Sequence, residues 1–303
     1  MKWKAIPSFV EGTSHKKLEI PCQDYGNYKI FNDVIVGAVA DGAGSAKFSH
    51  IGAQLAVEKA LLHLETWIIR LKQKKPNWQQ PIPEELAKKV FSGTLKNVVN
   101  ALKKKACEND YLFNDLACTL LIFVATPDWI AAMQIGDGFI VVRFEDSEYQ
   151  LLFQPDKGEY ANETNFVTSS SAQSEMRVVV LPGNQKFICA STDGLERLAI
   201  SFRDWKPFAG FFSPFEEGLK ITNNLKQEAK DIENWMASQE VNARTDDDKT
   251  MLLCLYDGDT QTINNLDKQL INSKDLNTEL TTKQLSKPPL TTIIDSIKNF
   301  ILP

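Results

Sequence analysis

Along this chain, short apolar runs alternate with longer segments whose apolar residues recur at helical spacing. The run "IFNDVIVGAVA", residues 30–40, is rich in β-branched residues, is bounded by polar ones and leads into Asp41, so it predicts one buried strand. From Ser49 to Lys72, Ile51, Leu55, Leu61, Leu62, Trp67 and Ile68 keep helical spacing and predict a long amphipathic helix. A Pro-containing break, "KKPNWQQPIP", separates it from a second helix over Glu84 to Cys107, with Leu86, Val90, Leu95, Val98, Val99 and Leu102 on one side. Strand-like runs then crowd together: "CTLLIFVAT", "WIAAMQIGDGFIVVRFE" and "YQLLFQP", the last two joined by the turn "EDSE". After a polar stretch come "MRVVVLP" and "KFICAST", then a helical section and a final strand, "TMLLCLY".

Closely spaced strands imply antiparallel pairing, and strands that cluster instead of alternating with helices favour an α+β sandwich over a doubly wound parallel sheet. The pattern changes after Asp257, where the chain turns polar and Asn/Thr/Lys-rich until "PPLTTIIDSIKNFILP", whose apolar residues again keep helical spacing. Residues 1–258 are therefore expected to form one domain. Residues 259–303 are expected to form a linker and an amphipathic C-terminal helix that docks on the domain or on a partner. There is no internal repeat.

Composition narrows the partners. With 34 basic and 39 acidic residues and a net charge of −5, the chain lacks the electrostatic footprint of a nucleic-acid binder. The one dense basic triplet, Lys103 to Lys105, is expected on a solvated helix face. Five scattered cysteines without a C-x-x-C pair suggest neither a zinc site nor a disulfide framework. No run reaches the ~18 apolar residues of a membrane span, and the N-terminus lacks the apolar core of a signal peptide. A cytoplasmic location is expected.

The candidate chemistry lies where strands end. Asp41-Gly42, Asp137-Gly138 and Asp193-Gly194 each follow an apolar run, Asp24 follows in "PCQDYG", and Asp246 to Asp248 abut the last strand. Any one Asp-Gly pair is an ordinary turn. Three of them with a triple aspartate point to a shared role. Hard divalent cations such as Mg²⁺ and Mn²⁺ take oxygen ligands, and carboxylates converging without His or Cys match that preference. Adjacent glycines let the backbone approach and offer a carbonyl oxygen. Two bridged cations can acidify a water and offset charge on phosphoryl oxygens during in-line attack, which makes a covalent nucleophile unnecessary. Other motifs fail on their details. "YDGDTQT" has Gln261 where the D-x-D-x-T phosphatases need Thr or Val, and as an EF-hand it lacks the central glycine and ends on Lys268. No nucleotide-binding glycine loop surrounds "DGAGSAK". His50 and His63 fall on the first long helix, where surface or structural roles suffice.

The ordered motifs "CQD", "VADGAGS", "IGDG", "STDG" and "DDKT", spread over Pro21 to Leu255, resemble the signature of the metal-dependent serine/threonine protein phosphatases of type 2C. The likeness is closest to a bacterial branch whose N-terminal element reads like "SH…PCQD" and whose middle contains "GEYANET". The resemblance implies a central antiparallel β-sandwich flanked by helices, with metals at one end. It implies two Mg²⁺ or Mn²⁺ ions: Asp41 bridging both, Gly42 giving its carbonyl oxygen, Asp24 assisting at one, and Asp193 and Asp248 holding the other. It assigns Asp137 to a third, weaker metal position and residues 158–174 to a flap by the substrate groove. Phosphorylated proteins would be the substrates, opposed by a serine/threonine kinase. The chain departs from the family in several places. Where many members grip phosphate with arginine it has His15, which could hydrogen-bond phosphate, protonate the leaving alkoxide, or be structural. Ala43 stands where some members carry histidine, Gly138 and Thr192 replace serines, and Lys249 replaces the usual Asn after the last aspartate, where it could weaken metal binding or point to solvent. The rival reading is a pseudophosphatase that binds a kinase or other signalling partner, whose mark would be a missing metal ligand. The principal aspartates are all present.

Overall fold

The computed structural model describes residues 3–74, 79–154 and 164–258. The expected linker and C-terminal helix, and most of "GEYANET", lie outside these residues. The chain begins with strand β1 (Trp3–Val10) and a short helix α1 (Thr13–Leu18), then the hairpin β2 (Tyr25–Phe31) and β3 (Val34–Ala40). Two long helices follow, α2 (Ser49–Lys74) and α3 (Glu84–Glu108). Next come β4 (Leu120–Ala125), β5 (Trp129–Ile135), β6 (Phe139–Phe144), β7 (Gln150–Leu151), β8 (Arg177–Pro182) and β9 (Gln185–Ser191). The last part holds α4 (Glu196–Ala199), the small hairpin β10 (Ile200–Ser201) and β11 (Lys206–Pro207), helices α5 (Ala209–Ile221), α6 (Leu225–Met236) and α7 (Gln239–Asn242), and β12 (Lys249–Tyr256).

Two five-stranded sheets form the sandwich, in the orders β1-β12-β9-β6-β7 and β2-β3-β4-β5-β8. Every pairing in them is antiparallel. Period-two alternation assigns each strand's side chains to different layers. In β3, Val34, Val36, Ala38 and Ala40 meet α2 and α3, whereas Ile35 and Val39 face the other sheet. That is why all seven β3 residues are buried and why the run reads as continuously apolar. Gly37 makes room for the Phe123 ring between the sheets, where any Cβ would overlap it. Helices α5 and α6 cover the first sheet through Phe211, Phe215, Ile232 and Trp235. The result is the expected α+β sandwich flanked by helices.

Three expectations change. Residues 30–40 are not one strand: Asn32 and Asp33 form a two-residue turn, with Asn32 in the left-handed region at φ 58°, and Phe31 pairs with Val34. Asn tolerates that conformation, which the surrounding apolar run masks. Second, "WIAAMQIGDGFIVVRFE" is two strands in different sheets. Gly136, at φ 102°, turns the corner between β5 and β6. Third, β8 and β9 likewise join different sheets, and β1 pairs along its whole length with β12 although no strand was expected there.

Candidate functional site

One end of the sandwich gathers the strand termini that carry aspartates. Tyr25 pairs with Ala40, Leu120 with Ile135, and Ser191 with both Phe139 and Met251, so Asp24, Asp41, Asp137, Asp193 and Asp246 to Asp248 all emerge there. Carboxylate oxygens of Asp41, Asp137 and Asp193 lie within 4.8 Å of one another. Asp137 is exposed at the rim, and Asp41 and Asp193 are half-buried.

Each of these positions is held by specific partners. The Asp41 N–H donates to Thr119 Oγ1 at 2.9 Å, and the Thr119 N–H donates to the Asp41 carbonyl at 2.8 Å, which fixes the backbone of Asp41 on both sides. Asp24 is buried, and the Thr192 hydroxyl donates to its Oδ2 at 2.7 Å. Asp137 accepts from the Thr164 hydroxyl, and the Gln134 side chain holds the corner beneath it by donating to the carbonyls of Gly136 at 3.0 Å and Gly138 at 2.6 Å. The glycines beside the aspartates sit at backbone crossings. A Cβ on Gly42 would lie 2.8 Å from Gln23 O, and one on Gly194 would fall onto Asp248 O.

The electrostatics suit cations. Burial, and next the charges of Asp137, Asp247 and Glu196, push the Asp193 carboxyl up to about 7. Glu196, just beyond the Asp-Gly step, is raised to about 7 by burial and Asp137. Asp24 and Asp41 are both raised, first by burial, and they hydrogen-bond one another, so Asp41 is the member held protonated. Asp247, though exposed as a residue, is raised by partial desolvation of its carboxyl and by its acidic neighbours Asp248 and Asp246. A cluster of oxygen donors that resists its own negative charge fits divalent metal, whose charge would reverse these shifts.

The structure separates two adjacent aspartates. Asp247 is exposed and its charge acts on both Asp41 and Asp193. Asp248 is 2% exposed and faces inward: Oδ1 accepts from the Gly12 N–H at 2.6 Å, and Oδ2 accepts from the Gln23 N–H with His15 Nδ1 2.9 Å away. His15 is thus placed against Asp248. Lys249 does not point to solvent; it is fully buried, with Nζ donating to Asn242 Oδ1 at 3.1 Å and to the Asp247 carbonyl at 3.0 Å. Glu196 and Thr119 are neighbours of these aspartates that pattern reading did not single out, whereas Thr192 entered it only as a serine replacement and Asp247 only as one of the three aspartates.

Comparison with known proteins agrees with this geometry. The family model described as protein phosphatase 2C matches residues 11–237. Serine/threonine-protein phosphatase 3 of Escherichia coli (strain K12) is 34% identical over 266 residues, covering 84% of this chain and 99% of that protein. Serine/threonine phosphatase Stp1 from Staphylococcus aureus shares the fold with a TM-score of 0.56 at 12% identity, covering 85% of this chain and 96% of that one. So does the catalytic domain of serine threonine protein phosphatase PstP in complex with 2 manganese ions, with a TM-score of 0.50 at 12% identity over 84% of this chain and 97% of that one. With an antiparallel sandwich, aspartates converging at one end and a family match over well more than half its length, this chain belongs to the protein phosphatase 2C family.

Proposed function

We infer that this chain is a metal-dependent serine/threonine protein phosphatase that hydrolyses phosphoserine and phosphothreonine in proteins. The observation that carries the reading is the convergence of the Asp41, Asp137 and Asp193 carboxylates within 4.8 Å, in a chain of this family. A binding module without activity would have no use for a carboxylate cluster whose own repulsion works against it.

Asp41, central to the cluster and fixed by Thr119, is the ligand we assign to both of two cations, with Asp24 and the Gly42 carbonyl beside it. For the second cation we assign Asp193 and Asp247. The inward engagement of Asp248 argues for Asp247 in place of Asp248. Asp137, exposed at the rim, suits a third and weaker position. Mg²⁺ and Mn²⁺ both match the all-oxygen donor set. When bound, such cations lower the pKa of water and offset charge on phosphoryl oxygens. The chain's own residues position the site. Thr119 and Thr192 hold Asp41 and Asp24 in place, and Asp137 and Asp247 are exposed among the described residues, on the side from which a phosphorylated side chain would approach. His15 lies against Asp248, which favours its structural role over contact with substrate. The opposing activity would be a serine/threonine kinase, and five free cysteines suit the reducing cytoplasm. No described helix is long and apolar enough to cross a membrane.

Hydrolysis of p-nitrophenyl phosphate and of a phosphothreonine peptide is to be measured with Mn²⁺, with Mg²⁺ and with excess chelator, beside Asp41→Asn. Metal-dependent turnover lost in the variant is the expected result. A folded wild-type chain inactive under every metal would return the reading to a binding module.

A further inference from the structure

We propose that Asp248 and His15 form a positioning pair that sets the two metal-facing aspartates flanking them, Asp24 and Asp247, without ligating metal themselves. The proposal rests on the metal-dependent reading above, and its starting point is a crossing of three chain segments on one buried carboxylate. The turn at Gly12 to His15 reaches Asp248 twice, through the Gly12 N–H at 2.6 Å on Oδ1 and through His15 Nδ1, which lies 2.9 Å from Oδ2 without being an aligned hydrogen bond. The same turn grips the neighbouring Asp246 carbonyl through the Ser14 N–H at 3.0 Å and the Ser14 hydroxyl at 2.7 Å. The third segment arrives through the Gln23 N–H on Oδ2.

Each contact leads to a ligand position one residue away. Gln23 precedes Asp24, and the Gln23 carbonyl accepts from the Gly42 N–H at 3.1 Å, beside Asp41. Asp247 precedes Asp248, and Lys249 holds its carbonyl from the opposite side. Backbone approach is so close that any Cβ on Gly12 would overlap the main chain of Asp246 and Asp247. A carboxylate suits this crossing because both its oxygens only accept. An amide in its place would turn an NH₂ toward the N–H of Gly12 or Gln23, leaving buried donors facing each other. Such outer contacts on ligand-bearing segments usually tune metal affinity about 10–100-fold.

The test is calorimetric titration of Mn²⁺ into the chelator-treated full chain for wild type, Asp247→Asn, Asp248→Asn and His15→Ala, with kcat and KM measured at saturating metal. The expected result is that Asp247→Asn lowers the number of ions bound. Asp248→Asn and His15→Ala should keep the wild-type number with dissociation constants raised about 10–100-fold, and saturating Mn²⁺ should restore most of their kcat. Loss of an ion from Asp248→Asn would make that residue a ligand and overturn the proposal, as would an unchanged dissociation constant in both variants. If Asp248→Asn does not fold, His15→Ala decides on the same criterion. Wild-type chain that takes up no Mn²⁺ would overturn the metal-dependent reading and the proposal with it, whereas the other outcomes leave that reading standing.

Discussion

Removing a charge from the carboxylate cluster should stabilise the protein when it carries no metal. Asp193→Asn is the cleanest case, because its carboxyl is pushed up to about 7 by burial and by Asp137, Asp247 and Glu196, against an ordinary value of 3.8. A group whose folded pKa is raised contributes its full stability below the unfolded value and loses it as pH rises through the folded value. Metal-free wild type should therefore weaken between about pH 4 and pH 7. The displacement of roughly three units corresponds to about 4 kcal/mol as an upper bound, and about 2 kcal/mol once solvent at this half-buried site is allowed for. For a chain of this size ~2 kcal/mol is roughly 4–8 °C in melting temperature. In chelator near pH 7.5, Asp193→Asn should melt above wild type by that margin, and the margin should close near pH 4. Adding Mn²⁺ at about 100 times its dissociation constant stabilises whatever binds it by ~2.7 kcal/mol, so the order should invert in favour of wild type. A variant that melts at or below wild type in chelator at neutral pH, with the same pH slope, would refute the view that the cluster stores repulsion for cations to relieve.

Three further outcomes follow from the packing. Gly194→Ala puts a Cβ on the Asp248 carbonyl and should cost about 1–3 kcal/mol in a denaturant melt while weakening Mn²⁺ binding, since Asp193 moves with it. Glu216→Ala should lower stability by about 3 kcal/mol with kcat retained in the folded fraction; Glu216 is buried, takes both Nε and Nη2 of Arg143 and the Tyr149 hydroxyl, and lies far from the aspartates in the helix layer over the first sheet. A chain ending at Gly258 keeps all of β12 and should hydrolyse p-nitrophenyl phosphate at the full-length rate; a loss beyond about threefold would give residues 259–303 a part in the domain.

The sandwich was legible because its strands are β-branched and its helices amphipathic, and periodicity reports both. Sheet membership was not. β5 and β6 are each buried on both faces, so nothing in their pattern says that the chain changes sheets at Gly136. β1 escaped notice because Lys4, Pro7 and Ser8 break its apolar run, although it lies along the full length of β12. At the site, Asp-Gly steps advertised Asp41, Asp137 and Asp193. Thr119 and Thr192, which hold Asp41 and Asp24, look like any strand threonine. In "DDDKT" composition names three candidates and only the fold says which side chain turns inward. Asp248 points to Gly12 and Gln23, whereas Asp247 is exposed.

The glycines themselves carry more of the architecture than the turn reading gave them. Gly42 is bare because Gln23 O and Ser49 pass within 2.9 Å of where its Cβ would sit, Gly138 because Ser191 O would lie 2.6 Å away, and Gly194 because Asp248 O occupies that place. Each is thus a crossing between an aspartate's own segment and another segment that bears or adjoins one: 41 with 23, 137 with 191, 193 with 248. The first crossing lies within one sheet and the other two within the other, and the Thr192 hydroxyl on Asp24 and the Gln23 N–H on Asp248 tie the two sheets' strand ends into one rim. An Asp-Gly step in this fold therefore specifies its partner as well as its turn, and carboxylates far apart in sequence are brought together by the absence of side chains beside them.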